Sequence, residues 1–126
     1  MQSAQSETTR RHMVDSQLRT NGITTAWIVK AMGEWPRENF LPAGKEAFAY
    51  LDRSVPLGNG RMLNPPLATA EMLQVAEVSE NDNVLLIGAG TGYLAALLSG
   101  RVKSLVAVES DASLAAVARA NVAGLD

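Results

Sequence analysis

The sequence contains no cysteine and a single histidine, His12. Disulfides, thiol nucleophiles and thiolate zinc sites are therefore excluded, as is any serine-histidine machinery that does not use His12. His12 lies in a polar N-terminal stretch and reads as a solvated helix residue, and no cluster with metal-ligand spacing is present. Basic clusters are missing too. Arg10 and Arg11 are the only adjacent basic pair and the net charge is −2, so the chain carries no electrostatic footprint for nucleic acid. No window approaches the ~18 apolar residues of a membrane span, and MQSAQSETTRRHM lacks the apolar stretch of a secretory leader. A cytoplasmic location without membrane attachment is the expectation.

What is present fits one globular domain: 126 residues, 47% hydrophobic and 19% charged. Residues 1–9 are polar and rich in Ser, Gln and Thr, and are expected to be a disordered tail. From Arg10 to Leu18 the pattern is helical, and Asn21-Gly22 can end that helix in a left-handed conformation. Thr24 or Thr25 can cap a second helix that stops near Gly33, ahead of Pro36. Residues 34–64 are rich in turn chemistry and read as irregular, with one short helix near Gly44 to Tyr50. Asn64 before Pro65-Pro66 predicts a cap for a third helix reaching about Val78.

The stretch from Val84 to Tyr93, VLLIGAGTGY, changes character. Four apolar residues ending in alternate glycines predict a buried parallel strand that breaks into a loop. A buried helix from Tyr93 to Ser99, a strand from Leu105 to Val108 closed by Glu109, and a helix from Ala112 to Val122 follow. Together these give an α/β protein: helices over 10–78, then a right-handed parallel βαβα unit over 79–126.

Gly88, Gly90 and Gly92 between a strand and a helix place unpaired backbone amides beside a surface free of side chains. Glu109 ends the next strand at about the 20-residue spacing from which an acid reaches ribose hydroxyls. The alternative is a plain tight turn with Glu109 solvated at a strand end. A dinucleotide loop reads G-x-G-x-x-G, whereas here the third glycine comes one residue early. That spacing disfavours a nicotinamide-dependent oxidoreductase. It resembles the first motif of the S-adenosylmethionine-dependent methyltransferases, which makes adenosylmethionine the leading ligand.

The order of MVDSQLRTNGI, PRENFLP, YLDRSVPLG and VLLIGAGTGYLAALL is similar to that of the protein-L-isoaspartate O-methyltransferase family, over roughly residues 10–126. The resemblance implies a Rossmann-like methyltransferase sheet of which this chain holds the first βαβα half. It also implies methyl transfer from adenosylmethionine to the carboxylate of isoaspartyl residues in damaged proteins. On that likeness Gly88, Ala89, Gly90, Thr91, Gly92 and Tyr93 line the methionine end of the cofactor, and Glu109 holds its ribose. Asp52 and Arg53 match the stretch before the substrate loop and serve either a salt bridge or a ligand contact.

Three departures shape the expectations. The family's loop G-Q-T-I-S, followed after one residue by proline, stands here as GRMLNPP, so the substrate loop is Arg61, Met62, Leu63 and Asn64. Asn64 takes the place of the serine usually regarded as the active-site residue; it reads as a helix cap, a substrate contact, or both. Leu86 stands where the motif usually carries an acid that holds the cationic end of the cofactor. Losing one charge-assisted hydrogen bond costs about 1.5–3 kcal/mol, so weak cofactor binding is expected; alternatively Leu86 merely completes a buried strand. Lastly, the sequence runs through half of the family's sheet, which predicts an unpaired strand edge and a homo-oligomer. A noncatalytic interaction module derived from the same fold is the competing expectation.

Overall fold

A computed structural model describes residues 4–123. Helix α1 spans Ala4–Met13, with Glu7 in its first turn and Arg10 and Arg11 in its last, an arrangement that complements the helix dipole. The expected disordered tail is thus helical from Ala4, and only its residues 1–3 lie outside the described residues. Local hydrogen bonds explain the difference. The Thr8 and Thr9 hydroxyls donate to the carbonyls of Ala4 (2.9 Å) and Gln5 (2.8 Å), and Ser6 donates to the Glu38 carboxylate. The helix widens into a π-helical stretch, Val14–Leu18, tightens over Arg19–Asn21, and ends at Gly22 with φ 88°, where the sequence predicts its end.

Helix α2, Ala26–Glu34, begins after Thr25. The Thr25 hydroxyl does not cap it; it donates to Gln74 Oε1 (2.9 Å), which also accepts the amides of Thr24 (3.0 Å) and Thr25 (3.2 Å). Two 3₁₀ turns follow, Arg37–Phe40 and Glu46–Phe48, the second falling where a short helix is predicted. Residues 34–64 are less irregular than expected. Strands β1 (Val55–Gly58) and β2 (Arg61–Leu63) form an antiparallel hairpin with a bulge between Pro56 and Gly58. Its tip, Gly58-Asn59-Gly60, has φ values of 96°, 52° and 76°, the left-handed conformations that glycine and asparagine supply.

Helix α3 runs Pro66–Ala76 and ends at Glu77 in a left-handed conformation. Asn64 is not its cap. Asp52 Oδ1 accepts the Leu67 amide (3.1 Å) from across the hairpin, while the Asn64 carbonyl accepts Arg37 Nη2 (2.7 Å). Arg53 lies over the Phe48 ring at 4.9 Å, so each residue of the Asp52-Arg53 pair has a local structural role.

The second half has the predicted order: β3 (Asn83–Ile87), α4 (Tyr93–Leu98), β4 (Ser104–Val108) and α5 (Ala112–Asn121). β3 and β4 pair in parallel from Asn83↔Ser104 to Ile87↔Val108. The expectation that these strands are buried does not hold for both faces. Leu85, Ile87, Val106 and Val108 share one face by strand alternation and are 61%, 76%, 59% and 44% exposed. Among the described residues the sheet has two strands, and that face is uncovered.

α4 instead joins the core of the helical half. Tyr93, Ala96, Leu97 and Leu98 cluster with Met13, Leu18, Ile28, Met32, Phe40 and Leu73, so a single core crosses the boundary near residue 79. Among the described residues no helix is long and apolar enough to cross a membrane, and no group of three or more His, Asp or Glu is placed to hold a metal.

Candidate cofactor site

The glycine loop adopts the conformations its residues permit. Gly88, Gly90 and Gly92 have φ values of 81°, 59° and 95°, a region that side chains penalise. A methyl group placed on Gly92 would also sit 3.1 Å from Val122 Cγ1, so that position is fixed by the approach of α5 as well as by φ. The amides expected to be free are not. Those of Gly88 and Ala89 bond the Val108 carbonyl (2.9 and 3.1 Å), Gly92 bonds Ala89 (3.0 Å), and Gly90 bonds Glu109 Oε1 (2.7 Å). A loop whose amides are spent on its neighbouring strand is a poor cradle for a diphosphate.

Glu109 is the centre of the site. Its side chain is 3% exposed, and each oxygen carries two donors: Arg61 Nη2 (2.6 Å) and the Gly90 amide on Oε1, Arg61 Nη1 (2.6 Å) and the Asp111 amide (2.8 Å) on Oε2. Led by the Arg61 guanidinium, these bonds hold the Glu109 carboxyl down at about 2 against its ordinary 4.5. Asp111 caps α5 through the amides of Ser113 (2.9 Å) and Leu114 (3.1 Å). It also accepts Asn59 Nδ2 (2.9 Å), and bonds from Ser113 and Asn59 lower its pKa. Two hollows, about 340 and 350 Å³, flank Glu109, one toward Ala89, Gly92 and Arg119 and the other toward Arg61, Gly88 and Ser110. A larger hollow, about 780 Å³, lies elsewhere, between α1 and the segment Glu38–Leu51.

The predicted site residues do not all meet. Gly88, Ala89, Gly90, Gly92 and Glu109 converge at the ends of β3 and β4. Tyr93 departs from its expected place: it is 1% exposed, its ring packs edge-on against Phe40 at 5.3 Å, and the Arg37 guanidinium lies 5.0 Å above it. Tyr93 therefore braces the loop from the core side. Thr91 is buried, with its carbonyl bonded by Asn121 Nδ2 (2.9 Å) and its hydroxyl without a partner among the described residues. Leu86 is half-buried on the face shared with Val84.

Of the substrate loop, Arg61 alone reaches this centre by a hydrogen bond, while Met62 is 49% exposed and Asn64 is exposed. Sequence reasoning missed that Arg61 is the partner of Glu109 and that Asn59 reaches Asp111. Opposite charge was the only available signal, and no spacing rule connects a hairpin to a strand end 48 positions away.

Comparison with known proteins gives consistent findings. The family model for protein-L-isoaspartate(D-aspartate) O-methyltransferase matches residues 8–126. A protein-L-isoaspartate O-methyltransferase of Koribacter versatilis is 40% identical over 110 residues, covering 87% of this chain and 50% of its own length. One from Methanoregula boonei is 39% identical over 116 residues, covering 92% and 54%. A solved protein-L-isoaspartate O-methyltransferase superposes with TM-score 0.74 at 29% identity, over 89% of this chain and 38% of that one. The Plasmodium falciparum structure described as a putative protein-L-isoaspartate O-methyltransferase in complex with S-adenosyl-L-homocysteine gives TM-score 0.75 at 17% identity, a likeness of fold, over 90% and 54%. The chain spans about half the length of the curated relatives it matches. With the family model matched over residues 8–126, the chain belongs to the protein-L-isoaspartate O-methyltransferase family.

Proposed function

We propose that this chain carries the cofactor-binding part of an S-adenosylmethionine-dependent methyltransferase acting on isoaspartyl carboxylates in damaged proteins. The observation that carries the reading is the meeting of a left-handed glycine loop with the buried Glu109 carboxylate beneath the hairpin that holds the substrate-type loop. The residues suit one end of that cofactor better than the other. A carboxylate at a strand end matches two neighbouring ribose hydroxyls, and the internally bonded loop matches a ligand without a diphosphate. Leu86 offers the cationic end nothing, so affinity is low.

Adenosylmethionine, when bound, would supply a methyl group activated for transfer from its sulfur to a carboxylate oxygen. The protein's share would be placement: Glu109 would hold the ribose, Gly88 to Gly92 would let the backbone approach the rest, and Asn64 would hydrogen-bond the acceptor. No base of high pKa is required, because the acceptor is already an anion. The reading also includes a homo-oligomer closing over the Leu85, Ile87, Val106 and Val108 face, and a cytoplasmic location. The exposed Asn64 and the aliphatic Leu86 favour, as a second reading, a noncatalytic module that keeps the cofactor shell.

Calorimetric titration with adenosylhomocysteine and adenosylmethionine tests the first reading. A one-to-one isotherm with both, and a flat response to NADH, is the expected result. No heat up to millimolar ligand would leave the glycine loop as scaffold and favour the second reading.

A further inference from the structure

The hairpin lies over the glycine loop and is pinned there at three points. Arg61 makes its paired bonds to Glu109, Asn59 donates to Asp111, and Leu57 covers Gly90, where an added methyl group would sit 3.5 Å from Leu57 Cδ1. Arg61 covers Gly88 in the same way, its Nη2 3.5 Å from a methyl group placed there. The lid therefore closes on the very residues assigned to the cofactor.

The donor arithmetic on Glu109 decides what opening requires. A carboxylate has about four lone-pair sites, and all four donors are present. A diol brings two further hydroxyl donors, so two existing donors must leave. The Gly90 and Asp111 amides belong to the loop and the strand end that form the site and cannot move away without dismantling it. Arg61 can: it is the remaining pair, it sits on a flexible side chain, and that chain is 32% exposed.

We propose that Arg61 is an internal competitor for the ribose-binding carboxylate, a latch that couples occupancy of the cofactor site to release of the β1–β2 hairpin. The proposal rests on the reading of Glu109 given above. A ligand bearing a vicinal diol replaces the guanidinium on Glu109 and frees the hairpin, and with it the substrate-type loop that continues from β2. Coupling of this kind is reciprocal, so anything that holds the hairpin open strengthens diol binding by the same factor.

The test compares wild type with Arg61→Gln by calorimetry with adenosylhomocysteine, together with amide hydrogen exchange over residues 55–63. We expect Arg61→Gln to bind about tenfold tighter, and adenosylhomocysteine to speed exchange of the wild-type hairpin. Asn59→Ala, which removes a pin without touching Glu109, shifts affinity in the same direction by less. Equal or weaker binding by Arg61→Gln, or a wild-type hairpin that the ligand slows or leaves unchanged, would overturn the latch while the cofactor site stands. No binding by either protein would overturn both. Should Arg61→Gln fail to fold, the exchange response of the wild type decides.

Discussion

Leu18, Ile28 and Met32, in the helical first half, are fully buried at 0% exposure, whereas Leu85 and Ile87, in the strand unit, are 61% and 76% exposed. These side chains are of similar hydrophobicity, and the two regions differ in what surrounds them. The helices wrap around one another and around α4, while the sheet has cover on one face. Apolar sequence therefore states what a segment can bury, and neighbours decide whether it does.

Substitution breaks or sharpens that contrast most directly. Ile28→Ala is expected to cost about 2–5 kcal/mol, as a cavity in a packed core does, whereas Ile87→Ala should stay within about 0.5 kcal/mol. Urea unfolding of the two variants measures the gap. Equal losses would mean that the sheet face is covered in solution, by a second chain or otherwise, and a loss confined to Ile28 would confirm its exposure.

A smaller effect separates backbone from packing within the strand unit. Gly92 and Gly100 both have left-handed φ, 95° and 74°, but only Gly92 is crowded, by Val122 and Ala118. Gly92→Ala should lose about 1–3 kcal/mol and exceed the loss of Gly100→Ala, which shares the backbone strain alone. Matching losses would show that α5 gives way.

The smallest expected effect is on pH dependence. Because Glu109 is held at about 2 against an ordinary 4.5, its bonds are fully present above 4.5 and are lost as pH falls toward 2. Hairpin protection, taken relative to the intrinsic exchange rate at each pH, should fall across that window in the wild type and show no such fall in Arg61→Gln. A hairpin equally protected at pH 2 and 5 would place the pinning elsewhere.

The order of elements was legible because periodicity and glycine placement are local. Asn21-Gly22 ended the first helix, and VLLIGAG gave a strand and loop in the right place. The hairpin at 55–63 was missed because its strands are short, Pro56 interrupts one, and the turn signal of Gly58-Asn59-Gly60 sits inside a longer run of turn residues. Caps were misread for a related reason: the Thr25 hydroxyl is drawn away to Gln74, and the Leu67 amide of α3 is taken by Asp52 rather than Asn64, partners that the sequence does not tie to these positions. Spacing singles out Glu109 as a candidate; its guanidinium partner required three dimensions. Tyr93 was placed at the ligand by resemblance, and the core took it instead.

That placement of Tyr93 has a consequence for how the chain is made. Leu18, Ile28 and Met32 are synthesised early, yet the surface they share with Tyr93, Leu97 and Leu98 exists only after the glycine loop has left the ribosome. Until Leu98 emerges, the first helices present an incomplete apolar face to solvent or to any chaperone at the exit tunnel. Slowing translation just before the codons for VLLIGAGTGY should therefore lengthen the window in which the nascent chain aggregates, while a pause once Leu98 has cleared the exit tunnel should be harmless.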